Sequence, residues 1–218
     1  MKKKYIFNLK SEEIKHLLNS DKRLSCLINN IGTLTYSLST DYFNFYINTI
    51  ISQMLSNKAS TAIYNRLYNL CNNSITPANL NKLNIINLRE IGISNAKANY
   101  ILRLSEFIEL NPKYFQQIKK YNDDYIYKEL LKINGIGKWS IKMFLIFVLN
   151  RMDILPYEDV AFLQSFNWLY STDKDNKEYV IKKCSSWRPY SSLAARYLYI
   201  ALDSGLTNEK FKLNKILK

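Results

Sequence analysis

Histidine is almost absent from this 218-residue chain, and the single one, His16, lies in a polar helix-like stretch with no neighbour in sequence to orient it. It reads as a solvated side chain, which removes imidazole acid–base chemistry from the options. Cysteine is nearly as scarce. Cys26, Cys71 and Cys184 are odd in number, scattered and without metal-ligand spacing, so a disulfide framework, a cysteine-ligated zinc and an iron–sulfur cluster are all excluded. They read as buried thiols. The longest unbroken apolar run, Met143 to Leu149, is far too short to span a bilayer, and no apolar signal core follows Met1-Lys2-Lys3-Lys4-Tyr5. A soluble, intracellular protein is expected, with no membrane partner. Alternation of period two never persists beyond a few residues, so no strand is expected. Acidic residues are also under-represented. There are 18 against 31 Lys and Arg, a net charge of +13, and a compact domain with that surplus favours polyanions, nucleic acid first.

What the chain does have is apolar periodicity of about 3.6. Hydrophobic residues make up 47% of it, enough for one sizeable core or two small lobes. Ser11 and Asp21 open short helices, with Gly32 as a stop, and Asp41 starts a longer one carrying Phe45, Ile47, Ile50 and Ile51 as core. That helix ends at Gln53-Met54-Leu55-Ser56, where Ser56 caps the next helix, so Gln53 and Met54 lie at a helix–helix junction. Met54 alone reads as core filler. Gly92-Ile93-Ser94 repeats the stop and cap. Pro112 begins a short helix, and Asp123 or Asp124 caps Tyr125 to Lys132. Ile141, Phe144, Leu145 and Val148 then form a core stripe, and a last helix runs from Pro189 to Leu202 with Gly205 beyond its end. The fold class is all-α, about a dozen mostly short helices.

Only five glycines are present, and two of them, Gly135 and Gly137, sit one residue apart between two helical segments spanning 130–149. Such a turn is either a plain corner or a phosphate site. Backbone N–H groups at the start of a helix attract anions, and Lys138 and Ser140 would add charge and a hydroxyl. Downstream, after Pro156, Asp159 immediately precedes the apolar run Val160-Ala161-Phe162-Leu163. It suits a helix N-cap, and a carboxylate held there can also stabilise a developing cation or orient water. Glu158 is an adjacent competitor that spacing alone does not eliminate.

Five segments in order carry a resemblance. They are Ile50-Ile51-Ser52-Gln53-Met54-Leu55-Ser56; Gly92-Ile93-Ser94 with Lys97-Ala98-Asn99-Tyr100-Ile101; Ile133-Asn134-Gly135-Ile136-Gly137-Lys138-Trp139-Ser140; Asp153-Ile154-Leu155-Pro156 leading to Asp159; and Trp187-Arg188-Pro189-Tyr190-Ser191-Ser192-Leu193-Ala194-Ala195. Together, from about Asp21 to the last helix, the chain resembles the 3-methyladenine DNA glycosylase II (alkylpurine glycosylase) branch of the helix-hairpin-helix glycosylase superfamily, in the short form without an N-terminal β-domain.

The resemblance implies a two-lobed helical fold with an active-site cleft between the lobes: residues 37–152 as a central bundle containing the hairpin, and 1–36 with 153–218 as the second lobe. It implies a protein that flips a damaged nucleotide out of double-stranded DNA and hydrolyses the N-glycosidic bond of an alkylated purine such as 3-methyladenine or 7-methylguanine. Asp159 falls on the family's essential aspartate. Met54, with Gln53 beside it, falls on the wedge that fills the vacated stack, which displaces the core-filler reading. Trp139, Tyr199 and Met143 match base-pocket positions. The backbone at Gly135 and Gly137, with Lys138 and Ser140, would hold the strand, and carbonyl oxygens of Leu131, Ile133 and Ile136 would bind a monovalent cation, Na+ or K+. No other cofactor is implied. Lyase-competent relatives carry lysine two residues after the second hairpin glycine, where this chain has Trp139, so a monofunctional enzyme leaving an abasic site is expected. It would act as a monomer, at the nucleoid or in the cytoplasm of a prokaryote or in a eukaryotic nucleus. The competing readings are a non-enzymatic lesion-sensing DNA-binding protein on the same fold and a glycosylase for deaminated or oxidised purines.

Overall fold

A computed structural model describes residues 3–174 and 176–213. The chain divides into two compact units, one made of Ser39–Phe144 and the other of Met1–Leu38 with Leu145–Lys218.

The central unit contains α3 (Tyr42–Ser52), α4 (Asn57–Leu70), α5 (Pro77–Leu80), α6 (Ile85–Glu90), α7 (Asn95–Leu110), α8 (Tyr114–Ile118), α9 (Asp123–Leu130) and the first part of α10 (Lys138–Phe147). Its helices are short, and local side-chain caps define where most of them begin. The side chains of Asp41, Ser56, Thr76, Asn84, Ser94 and Asn122 each accept a backbone N–H in the first turn of the helix that follows. At α9 the cap is Asn122, one residue before the expected aspartates, which instead occupy the first turn and complement its positive end. α8 begins at Tyr114, two residues after Pro112. Aromatic packing centres on Phe144, whose ring stacks on Tyr46 at 5.0 Å and lies 5.9 Å from Phe115. Tyr46, Ile47, Ile50, Leu88, Ile101, Leu104, Ile126 and Ile141 are fully buried around that packing, each contributing about 1.5–3 kcal/mol by removal from water. Phe45, expected in this core, is only half-buried.

The other unit combines α1 (Glu12–Ser20) and α2 (Lys22–Ile31) with α11 (Val160–Tyr170), α12 (Lys177–Lys183) and α13 (Ser191–Asp203), plus 3-10 turns at Ser185–Trp187 and Leu206–Asn208. Its core gathers Ile14, Leu17, Leu24, Leu27, Phe162, Phe166, Trp187, Leu193 and Leu198. Asp21 caps α2 through the Arg23 and Leu24 N–H groups, and its other oxygen accepts the Tyr170 hydroxyl at 3.0 Å, tying α11 to α2. α13 starts at Ser191, so Pro189 lies ahead of the helix and not in its first turn.

Three expectations need correction in this unit. Two strands exist: β1 (Lys4–Phe7) pairs antiparallel with β2 (Leu34–Ser37), Lys4 opposite Ser37 and Phe7 opposite Leu34. Four residues carry too little alternation to register as a pattern. His16 is not simply solvated, because its Nε2 lies 3.1 Å from the Ser186 carbonyl and its ring meets Tyr190 edge-on at 5.4 Å. Cys26 is half-buried, with Sγ directed at the Leu213 carbonyl, whereas Cys71 and Cys184 are buried. Among the described residues no helix is long and apolar enough to cross a membrane.

Candidate functional site

The hairpin joins α9 to α10 through residues 131–137. Its N–H groups at Ile133 and Ile136 donate to the Leu130 and Ile133 carbonyls, a tight inward winding that places Ile136 in the core. Gly135 has φ +90, and a Cβ there would stand 2.6 Å from the Tyr100 ring, so both conformation and space demand glycine. Gly137 is different. No positive φ is required and a Cβ would meet open space. Its N–H donates to Ser140 Oγ at 2.9 Å and its carbonyl accepts from the same hydroxyl at 3.0 Å, half of a capping box that starts α10. Ser140 is buried, so its hydroxyl faces the turn and not a ligand, in place of the expected phosphate contact. A helix leaves its first N–H groups outside its own ladder, and here that ladder begins with the Ile141 N–H on Gly137 O. Lys138, exposed at the first position of α10, adds a charge beside that helix end.

Gln53 and Met54 form the turn that leaves α3. Leu55 N–H donates to Ser52 O at 3.1 Å, Gln53 has φ −49 and ψ 126, and Met54 has φ +56, which makes Ser52–Leu55 a type II β-turn. The third place of such a turn favours Gly or Asn, and a methionine there costs about 1 kcal/mol or more. Met54 is 100% exposed, so burial returns nothing for that cost. Gln53, expected beside the wedge against DNA, instead turns its amide into the protein and donates to Gly135 O at 3.1 Å. Lys97, to which no sequence pattern assigns a role, donates from Nζ to Ile51 O at 2.8 Å and Gln53 O at 2.6 Å. The structure therefore brings the Ser52–Leu55 turn and the hairpin together.

Asp159 is the N-cap of α11. Its Oδ1 accepts the Phe162 N–H at 2.7 Å, its own N–H donates to Pro156 O, and its carbonyl receives the Leu163 N–H, leaving the residue 8% exposed. This choice over Glu158 is local, since Phe162 and Phe166 must face the core and Asp159 alone sits at the cap. Tyr199, expected in a base pocket, hydrogen-bonds the Asp159 side chain. Burial, and then the Asp159 charge and that hydrogen bond, push its phenol well above the ordinary range, with Arg196 opposing. Arg196 is itself buried. Its guanidinium lies 3.7 Å from the Tyr36 ring and 4.6 Å from the Phe147 ring, and it donates to Ile146 O at 2.7 Å, while burial pulls its pKa to about 10. Phe147 in turn packs 5.6 Å from Tyr199. Strand β2, absent from the sequence reading, thus supplies through Tyr36 one face of the layer behind the carboxylate's partner. Asp153 anchors the approach: it accepts from Arg188 Nε at 2.8 Å and Ser191 Oγ at 2.6 Å.

Of the other expected pocket residues, Trp139 is half-buried on the first turn of α10 and Met143 is buried. The Ile133 carbonyl already accepts the Ile136 N–H, and Leu131 is 42% exposed. Among the described residues no three His, Cys, Asp or Glu side chains cluster as metal ligands.

Two helices joined on a glycine turn, with a second helical unit presenting a capped aspartate, define a helix-hairpin-helix protein. The family described as HhH-GPD superfamily base excision DNA repair protein matches residues 47–189, and the chain belongs to that family. It is 29% identical over 206 residues to DNA-3-methyladenine glycosylase 1 of Schizosaccharomyces pombe, covering 91% of this chain and 90% of that one. Among solved structures, the DNA-3-methyladenine glycosidase of Bacillus halodurans superimposes with a TM-score of 0.80 at 28% identity, covering 98% and 99% of the two chains. The 3-methyladenine DNA glycosylase of S. pombe in complex with abasic DNA gives 0.79 at 27% identity, over 88% of this chain and 96% of that one.

The two hairpin glycines should separate in a thermal melt. Gly135→Ala is expected to lose about 2–4 kcal/mol, lowering Tm by roughly 5–10 °C, because it meets both strain and the Tyr100 ring. Gly137→Ala should change Tm by no more than about a degree, as surface substitutions do. Met54→Asn should raise Tm by about 2 °C, since asparagine tolerates the left-handed region better, and a fall would contradict the strain assigned to this turn.

Proposed function

We infer that the protein is an alkylpurine DNA glycosylase that works by hydrolysis. The observation that carries the reading is the presence, in one chain of this family, of the Gly135–Gly137 hairpin and of Asp159 fixed as a buried helix cap. Double-stranded DNA carrying a damaged base is the partner, approached through the chain's positive field and held by backbone N–H groups at the start of α10 with Lys138 alongside. Gly135 contributes by the shape of the turn. Met54 enters the stack as the target nucleotide leaves it. The protein acts as a monomer inside the cell.

A purine methylated at N3 or N7 is cationic, so its glycosidic bond is weakened and the base departs without a strong general acid. What remains is to stabilise the oxocarbenium-like sugar and to admit water. The Asp159 carboxylate opposes the developing positive charge with an orientation set by the Phe162 N–H and the Tyr199 hydroxyl, so little reorganisation accompanies the reaction. The indole of Trp139 offers a cationic base a π-face, worth about 1–2 kcal/mol once desolvated. Met143 and Tyr199 complete the set of base-pocket residues, Tyr199 through its edge toward Asp159. Trp139 also removes the amine that would attack the sugar carbon in a lyase, and the Lys97 amine is committed to two carbonyls. At the hairpin, carbonyl oxygens of Leu131, Ile133 and Ile136 are hard donors with no carboxylate beside them in the turn, a set suited to Na+ or K+ and not to a divalent ion. Such an ion would hold the turn and add positive charge near the strand.

Purified protein should release 3-methyladenine and 7-methylguanine from methylated duplex DNA. Asp159→Asn should slow release by about a hundredfold or more with DNA affinity retained. Full activity in that variant would overturn the catalytic assignment, and release only of deaminated or oxidised purines would overturn the substrate class. Borohydride should trap no covalent complex. Trp139→Ala should slow release of cationic 7-methylguanine about tenfold, and more than release of neutral hypoxanthine.

A further inference from the structure

We propose that Lys97 and Gln53 are positioning residues for base flipping: Lys97 selects the peptide orientation that points Met54 outward, and Gln53 couples that turn to the hairpin. This rests on the glycosylase reading above and assigns a task to two side chains that bond to backbone carbonyls of the protein itself.

Type I and type II β-turns share the bond from the first carbonyl to the fourth N–H and differ by a flip of the central peptide. In the turn Ser52–Leu55 the central peptide is Gln53–Met54, and its oxygen is Gln53 O. Left alone, the turn would relax to type I, because that returns a non-glycine residue in third place to negative φ. Instead Met54 stands at φ +56 with its side chain wholly in solvent. The cation that opposes the flip is Lys97, on the first turn of α7. Its ammonium donates to Gln53 O at 2.6 Å and to Ile51 O at 2.8 Å, so it grips the central peptide and an orphan carbonyl at the end of α3 together. Flipping the peptide would remove one acceptor from a charged, partly desolvated donor, a larger loss than the strain relieved.

The same helix fixes the hairpin. Tyr100, one turn beyond Lys97 on α7, fills the space above Gly135, and the Gln53 amide donates to Gly135 O. Wedge and strand-gripping turn are therefore mounted on one helix and joined to each other by one hydrogen bond. A strand held at the hairpin meets Met54 at a set height and angle, so the intercalating side chain arrives without a search.

Lys97→Met keeps the length and removes the charge. In the DNA-free protein, a type II turn gives a strong nuclear Overhauser effect between Gln53 Hα and the Met54 N–H, and the variant should replace it with the Gln53 N–H to Met54 N–H effect of a type I turn. Single-turnover base release should fall about ten- to hundredfold. In a Met54→Ala background the same substitution should cost nothing further, because both act through one side chain. Gln53→Leu should keep the type II signature yet lose release, again without effect in the Met54→Ala background. A type II pattern surviving in Lys97→Met, or additive losses in either cycle, would overturn the proposal. Should Lys97→Met fail to fold, the Gln53→Leu cycle decides. A wild-type protein that releases no base would sink the glycosylase reading, while the spectra would still report on the turn.

Discussion

A helix end leaves polar backbone groups without intrahelical partners, and the working parts of this protein are built where that constraint is met. At the start of α11 the orphan N–H of Phe162 is answered by Asp159, so the group that stabilises the fold is also the group we propose for opposing a developing cation. At the end of α3 the orphan carbonyl of Ile51 is answered by Lys97, which thereby fixes the turn that follows. At the start of α10 Ser140 closes the Gly137 end of the hairpin, taking the Gly137 N–H and donating to the Gly137 carbonyl. Capping a terminus requires a fixed side chain, and a fixed side chain is what catalysis and strand recognition both need.

The costs are placed accordingly. Met54 adopts a left-handed conformation with no packing to offset it, and Arg196 is buried with a backbone carbonyl and two aromatic faces as its partners. Each is a local loss held in place by a surrounding that over-determines it. For Met54 that surrounding is a lysine, a glutamine and the hairpin turn. For Arg196 it is the pair of rings of Tyr36 and Phe147, of which Tyr36 is itself stacked on Tyr5 at 5.5 Å and bonded to Asn150. The two short strands, small beside the thirteen α-helices among the described residues, thus reach the carboxylate through Tyr36, Arg196, Phe147 and Tyr199.

How much of this was legible in the sequence follows from range. Caps act over three residues, so Asp21, Asp41, Ser56, Ser94 and Asp159 could be read directly, and the stripe from Ile141 to Val148 repeats often enough to fix a helix face. The glycine turn and the aspartate announced the site for the same reason. Asn122 was displaced by the neighbouring aspartates because all three residues can cap and only packing decides between them. What stayed hidden depends on partners distant in sequence. The bond from Gln53 to Gly135 spans 82 residues and the pairing of β1 with β2 leaves no periodicity, so neither has a local trace. Lys97 stood inside a recognised segment, yet a lysine on a first helical turn ordinarily belongs in water. Ser140 misled in the opposite direction, since a hydroxyl beside a helix start suggests a ligand contact until its burial is seen.

The charge balance completes the logic. A surplus of thirteen positive charges brings DNA to the surface without discriminating one base from another, because phosphate attraction is blind to sequence and damage. Discrimination must then come from what differs at a lesion. A purine alkylated at N3 or N7 carries its own positive charge, which lowers the barrier to bond cleavage. A protein exploiting that difference needs a well-aimed carboxylate more than a strong general acid. The leaving group already holds the charge that other hydrolases must supply.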